Sequence, residues 1–181
     1  MFMRKLVVTA GVAALTLGAS VTLGALVLAE SPKLGKPISQ ADLAAWDINV
    51  LPDGTNLPPG SGKAADGAKI YAQKCAACHG ENGQGGHAAR LIGGPPKATL
   101  DGGKTIANYW PYATTVFDFI RRSMPFTEPR SLTDQEVYAL TAYLLAGNKL
   151  IGEGDEMNAS TLPKVQMPNR GNFVIRFPDR I

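Results

Sequence analysis

Cys75-Ala76-Ala77-Cys78-His79 is the most informative stretch of this 181-residue chain. Its two thiols lie about one helical turn apart, so each can add to one of the two vinyl groups of a porphyrin. The histidine that follows then faces the iron as the proximal ligand. Its other ring N–H needs a backbone carbonyl to orient it, and Gly94 or Pro95 in the following loop is predicted to supply that carbonyl. The spacing predicts one covalently bound haem c.

Other sites that use the same residues are a redox dithiol, a structural disulfide and a zinc site completed by His87. A thioredoxin-like dithiol needs a βαβ context, and no strand pattern surrounds the motif. Common zinc modules space their ligands in separated pairs, which the adjacent Cys78 and His79 do not match. The chain has two cysteines, so haem attachment leaves none for a disulfide framework. Haem attachment is therefore the preferred interpretation.

An iron that shuttles electrons needs a soft sixth ligand, and Met124, Met157 and Met167 are the methionines beyond the N-terminal segment. Pro125 disfavours helical backbone at Met124, so a helix should end there and leave the thioether on a loop that faces the haem. Met124 is therefore the predicted ligand. Met167 also precedes a proline but lies in the tail, and His87 is a further alternative. Met157 is expected to fill the core.

Haem propionates also need hydrogen-bond donors where they are buried. Trp110, Tyr112, Arg121 and Arg122 are the candidates. For the two aromatic residues the competing interpretation is that they only fill the core.

The N-terminus has the pattern of an export segment. Arg4 and Lys5 precede an uncharged apolar stretch from Leu6 to Ala29. A signal peptide has an apolar region of about 7 to 15 residues and a membrane-spanning helix needs roughly 20, so residues 1–29 suit either a cleaved signal peptide or an uncleaved anchor. Both alternatives place the rest of the chain in the periplasm.

The charge balance argues against a nucleic-acid partner. The chain has 18 basic and 15 acidic residues. Removal of residues 1–29 takes away two basic residues and no acidic one, which leaves 16 basic against 15 acidic residues. No basic run or basic-aromatic pattern is present, so DNA and RNA are not expected to bind.

The remaining chain divides into an extended leader, a domain and an extended tail. The leader, residues 30–62, is rich in proline and has room for one short helical turn from Ser39 to Trp46, with Leu43 and Trp46 as its apolar contacts. The domain spans residues 63–148. The tail, residues 149–181, has no sustained periodicity and should be ordered by contact.

Helices are predicted at three places in the domain. Apolar spacing favours helices from Lys63 to Ala77 and from Ala113 to Arg122. Thr133-Asp-Gln-Glu136 is a capping box that begins a third, and Gly147 ends it. A loop rich in glycine and proline separates the first two. The pattern is all-α.

This order of helix, attachment motif, Gly-Pro loop, Met-Pro pair and capped last helix resembles the small monohaem class I cytochromes c with His and Met ligands. The resemblance implies a fold in which the first and last helices cross beside one covalent haem. The implied contact brings Gly67 and Tyr71 against Leu140, Tyr143 and Leu144.

A second resemblance is to the SoxD-type cytochrome subunit of sulfane dehydrogenase. It rests on Lys104 to Ile120, Met124-Pro-Phe126, Glu136 to Leu145 and Leu162 to Arg170. In that family the cytochrome partners a molybdenum-cofactor subunit that oxidises sulfur compounds in the periplasm. Longer members carry a second haem module, whereas this chain has one attachment motif, so a sulfite dehydrogenase or another molybdenum oxidoreductase fits equally well as the partner.

These resemblances imply a periplasmic electron-transfer subunit that accepts electrons from a molybdenum-cofactor dehydrogenase and passes them to a downstream cytochrome or oxidase. A free or membrane-tethered general electron carrier is the alternative. An enzyme in its own right would need an open or cysteine-ligated iron, and attachment uses both cysteines. The long leader and tail suit either docking to a partner or wrapping the chain's own core.

Overall fold

The computed structural model describes residues 34–94 and 103–174. The predicted export segment and Pro95 lie outside these ranges. Residues 1–39 and 40–181 form separate units. Of the first unit, residues 34–39 are described, and they are exposed and form neither helix nor strand. Among the described residues, no helix has the length and apolar character needed to cross a membrane.

The second unit begins with helix α1, Gln40–Trp46, at the place where a short helical turn was predicted. Its predicted apolar contacts are wrong, because Leu43 is 41% and Trp46 is 75% exposed. The leader is held to the domain just after this helix. There the N–H of Val50 donates to the carboxylate of Asp118 over 3.2 Å.

Helices make up most of the domain, as predicted. They are α2 (Ala64–Lys74), α3 (Ala76–His79), α4 (Ile106–Tyr109), α5 (Ala113–Ser123) and α6 (Asp134–Gly147). The single helix predicted from Lys63 to Ala77 is divided at Cys75, whose φ of −124° departs from helical geometry. This break lets the cysteine motif form its own turn.

Helix α2 packs directly on α6, which confirms the contact predicted between the first and last helices of the domain. Gly67 faces the backbone of Ala139, and the rings of Tyr71 and Tyr143 lie 4.9 Å apart between centroids. The close approach requires a residue without a side chain at position 67. The separation between α2 and α6 is therefore fixed by this contact.

The tail wraps the domain's own core. Strand β2 (Glu156–Asn158) pairs antiparallel with β1 (Ser61–Lys63), a short pair that the all-α prediction did not include. Met157, Leu162 and Met167 are all less than 5% exposed. The described part of the tail, residues 149–174, is thus ordered by apolar contact, as predicted.

The predicted capping box is present at the start of α6. The Thr133 hydroxyl accepts from the N–H of Glu136 over 3.2 Å, and the Glu136 carboxylate accepts from the N–H of Thr133 over 2.8 Å. Thr133→Ala should lower the free energy of unfolding by about 1 kcal/mol, because a helix-end N–H loses its acceptor. Urea unfolding measures this, with Thr127→Ala as the control. Equal stability of the two variants would contradict the assignment.

Candidate functional site

A cavity of about 340 Å³ lies between α3, α5 and α6. Both cysteines, His79 and Met124 line it, and its apolar wall comes from Leu91, Ile120, Leu132, Leu140 and Leu144. A smaller cavity of about 80 Å³ shares His79 and Met124 and adds Trp110 and Phe119. The residues predicted to attach the cofactor and its two ligands therefore meet around one apolar space.

The cysteine motif forms a single tight turn. The N–H groups of Cys78 and His79 both donate to the carbonyl of Cys75, over 3.2 and 3.0 Å. Cys75 is half-buried and Cys78 is exposed. Burial raises the pKa of the Cys75 thiol to about 11 in the unattached chain. Both thiols lie at the cavity wall, as the spacing predicted.

The carbonyl that orients His79 belongs to Ala89. Its oxygen lies 2.7 Å from Nδ1 of His79. A carbonyl can only accept, so Nδ1 carries the proton and Nε2 keeps its lone pair for a metal. The prediction of Gly94 for this role is wrong, and Pro95 lies outside the described residues.

The loop after His79 explains this difference. Gly80, Gly83 and Gly85 have φ values of 83°, 72° and 101°, and they turn the chain back on itself. The N–H of Ala88 then donates to the carbonyl of Cys78 over 2.9 Å. The next residue, Ala89, therefore passes the imidazole well before the Gly-Pro segment.

Met124 directly follows α5, as predicted. Its backbone is extended, with φ −120° and ψ 145°, and its N–H still donates to the carbonyl of Ile120 over 3.0 Å. Met124 lines both cavities. Met157 and Met167 are instead 4% and 3% exposed within the core. The placement supports Met124 over Met167 as the sixth ligand.

His87, the other alternative ligand, is exposed at the wall of the larger cavity. It belongs to the same returning loop that brings Ala89 to His79. Met124 lies in both cavities with His79, whereas His87 lines only the larger of the two. This placement also favours the methionine.

The predicted propionate donors divide into two groups. Trp110 lines the smaller cavity. Tyr112 lies under the guanidinium of Arg170, 5.3 Å from its ring centroid, and Nε of Arg121 donates to Asp134 over 3.1 Å. Neither Tyr112 nor Arg121 lines either cavity, so their contact with the propionates stays a prediction.

Arg122, the fourth candidate, is also engaged away from the cavities. Its guanidinium donates to Asp118 over 2.6 Å and to the side chain of Asn49 over 2.9 Å. Together with Arg121, which donates to the carbonyl of Ile48 over 3.4 Å, it ties the leader to α5. These arginines serve the attachment of the leader.

Known proteins similar to this chain are consistent with a haem site in the cavity. Residues 64–148 match the family model described as Cytochrome c. A chain in the crystal structure of the sulfane dehydrogenase SoxCD from Paracoccus pantotrophus is 38% identical, with a TM-score of 0.73. The match covers 83% of this chain and 75% of that one. The chain belongs to the cytochrome c family.

Two curated relatives of this cytochrome c are thiosulfate dehydrogenases. The protein from Stutzerimonas stutzeri (strain A1501) is 34% identical over 90 residues, which are 48% of this chain and 28% of that protein. The protein from Psychrobacter arcticus (strain DSM 17307 / VKM B-2377 / 273-4) is 30% identical over 115 residues, 55% of this chain and 33% of that protein. This chain thus spans about a third of their length.

Membership of the cytochrome c family implies covalent haem c, and the residues present fit that group. Two thiols one turn apart, an imidazole with a free Nε2 and a thioether all border the same apolar cavity. Thiolate, imidazole and thioether are the protein ligands used at haem and related iron sites. Cys75 and Cys78 would hold the group covalently, and His79 and Met124 would ligate its iron.

Sequence reasoning assigned Tyr71 to the helix contact and missed its place in the site of this cytochrome c. The side chain is 1% exposed and lines the larger cavity, and its hydroxyl donates to the carbonyl of Gly80 over 2.9 Å. Burial raises the pKa of Tyr71 to about 12. The hydroxyl therefore anchors the first residue of the loop that carries Ala89.

Tyr71→Phe should lower the free energy of unfolding by about 1 kcal/mol at neutral pH, because Gly80 keeps its second donor, the N–H of Gly83. A pKa of about 12 also makes the tyrosine a source of pH dependence. As the pH rises, the Tyr71 hydroxyl ionises in the unfolded chain before it ionises in the folded one. The stability that this hydroxyl contributes is therefore complete below pH 10 and is lost as the pH rises toward 12.

Urea unfolding between pH 8 and 11 measures both effects. The Tyr71→Phe variant should show a shallower loss of stability above pH 10 than the wild type. Burial also raises the pKa of Tyr138 to about 12, so the variant should retain part of the decrease in stability with pH. Tyr112→Phe is the control. A slope that Tyr71→Phe leaves unchanged would count against the buried hydrogen bond.

Proposed function

We propose that this cytochrome c is the periplasmic electron-transfer subunit of a molybdenum-cofactor dehydrogenase that oxidises a sulfur compound. It accepts electrons from that subunit and passes them to a downstream cytochrome or oxidase. The observation that carries the electron-transfer role is the meeting of His79 and Met124 in one apolar cavity. An iron closed on both sides exchanges electrons rather than binding a substrate.

The residues around the cavity suit that role. Haem c supplies one-electron exchange without breaking a bond. The carbonyl of Ala89 holds the His79 ring in one orientation, while Leu140 and Leu144 exclude water from the cavity. A Met ligand raises the reduction potential, which favours acceptance of electrons from a catalytic centre.

The role as a dedicated subunit is supported by the extent of the structural match. The family model spans residues 64–148, whereas the match to the SoxCD chain covers 83% of this chain and so reaches into the leader, the tail or both. A general carrier does not need these segments for its redox chemistry. Both cysteines lie in one attachment motif, which supports one haem per chain.

A periplasmic location is supported by the sequence of residues 1–29, with Arg4 and Lys5 before an apolar stretch.

A sulfur compound that loses two electrons at the partner would release them through this chain in two single-electron steps.

Purification of the full chain from its source cells tests the proposal. The expected product contains one covalent haem per chain and a stoichiometric partner that carries molybdenum, measured by haemochrome absorption and elemental analysis. A haem-loaded chain that elutes alone at cellular concentration and without molybdenum would favour the alternative, a free or membrane-tethered carrier.

A further inference from the structure

We propose that a partly exposed aromatic surface beside the smaller cavity is the docking face for the electron-donating dehydrogenase subunit. This inference rests on the proposed function. The surface, called here the aromatic face, consists of Tyr109, Trp110, Tyr112, Phe119 and Phe173.

Two ring pairs, a hydrogen bond and the adjacent positions of Tyr109 and Trp110 in the chain link the parts of the aromatic face. Trp110 and Phe119 meet edge to face with centroids 5.7 Å apart, and Tyr109 meets Phe173 in the same way at 5.6 Å. The side-chain amide of Asn169 donates to the carbonyl of Tyr109 over 2.7 Å, which fixes the tail beside α4. The face is thus a built surface that joins α4, α5 and the tail.

Large aromatic side chains remain exposed on this built surface. Phe173 is 40% and Tyr109 is 37% exposed, and neither lines either of the two cavities. Exposed aromatic residues gathered in one patch are typical of protein interfaces, where aromatic side chains provide most of the binding energy. Scattered single residues would carry no such meaning.

The aromatic face is continuous with the redox site. Trp110 and Phe119 line the smaller cavity together with His79 and Met124. A partner seated on this face would be separated from the two predicted iron ligands by one layer of side chains. The face therefore gives a donor short access to the site.

The charge of the aromatic face defines the chemistry of the partner. Nζ of Lys104 lies 5.0 Å from the centroid of the Tyr109 ring, and the guanidinium of Arg170 lies 5.3 Å from the centroid of the Tyr112 ring. The described stretches 103–112 and 166–174 hold these cations and no carboxylate. The partner should present an apolar centre bordered by Asp and Glu side chains.

The dehydrogenase subunit fits this face better than the downstream acceptor does. Arg170 and Phe173 belong to the tail, outside the family domain at residues 64–148. The match to the SoxCD chain extends beyond that domain. A face built partly from an added segment suits a lasting subunit contact, and the rim of the larger cavity, with Cys78 and Phe126, remains for the acceptor.

The test measures binding between the haem-loaded full chain and the separately produced molybdenum subunit that co-purifies with it. Phe173→Ser and the double variant K104Q/R170Q should each raise the dissociation constant by about tenfold or more. The double variant should also reduce the salt dependence of association. Trp46→Ser and K69Q/R130Q, which change exposed residues elsewhere, should stay within about twofold of the wild type.

Four other results would overturn the inference, and each identifies a different cause. If the wild-type chain binds and both test variants bind equally well, the aromatic face is not the dehydrogenase site, while the proposed function stands. If Phe173→Ser only slows transfer to the acceptor, the face belongs to the acceptor. If it only converts a dimer to a monomer, the occupant is a second copy. A chain that purifies without a molybdenum partner overturns both proposals together.

Discussion

Replacing Met124 with leucine is expected to lower the haem reduction potential by on the order of 0.1 V or more, because axial ligands set haem potentials over about 0.8 V. The far-red absorption band from charge transfer between the Met sulfur and ferric iron should disappear. Leucine keeps the apolar volume of the side chain, so the fold should survive. The change in reduction potential therefore reports the loss of the sulfur ligand alone.

Met167→Leu is the matched control for this substitution. Met167 also precedes a proline, but it is 3% exposed in the core and lines neither cavity. Its replacement should leave the absorption band and the potential at their wild-type values. Loss of the band in Met167→Leu, with its retention in Met124→Leu, would show that the tail supplies the ligand.

Gly67→Ala is expected to lower the free energy of unfolding by about 3 kcal/mol. A methyl group at this position would collide with the Ala139 carbonyl oxygen and lie 2.6 Å from the carbonyl carbon of the same residue. It would also lie 2.7 Å from Cβ of Tyr143. These atoms belong to the backbone and side-chain base of α6, so relief requires the two helices to separate.

Helix propensity and the contact with α6 change the free energy of unfolding of Gly67→Ala in opposite directions. Alanine is favoured over glycine inside a helix by about 1 kcal/mol. Thermal and urea unfolding of the haem-loaded protein measure the balance, with Gly154→Ala as the control, since a methyl group there meets nothing within 4 Å. A neutral or stabilising Gly67→Ala would mean that α2 and α6 do not pack as closely as described.

The parts of the site that could be predicted from sequence depend on local chemistry. The turn of the attachment motif follows from residue spacing, the end of α5 follows from Pro125, and the start of α6 follows from the capping box at Thr133. Each signal acts within about one helical turn of the residue that it places. These are the features that the structure confirms.

The contacts that local patterns do not predict join residues distant in sequence. Arg121 is engaged by Asp134, 13 positions along the chain. Tyr112 is covered by Arg170 from the tail. The carbonyl that orients His79 depends on how several positive-φ glycines fold one loop back, and no motif encodes that path. Spacing patterns do not report such pairings.

Substrate-driven reduction of the haem in the intact complex shows whether this chain receives electrons from sulfur oxidation. The oxidised wild-type complex is mixed rapidly with a sulfane, thiosulfate or sulfite substrate while the haem absorption is followed. We expect one of these compounds to reduce the haem within the turnover time of the complex, and Met124→Leu to shift the extent of reduction. A haem that stays oxidised with all three, although dithionite reduces it, would contradict the claim that this chain receives electrons from sulfur oxidation.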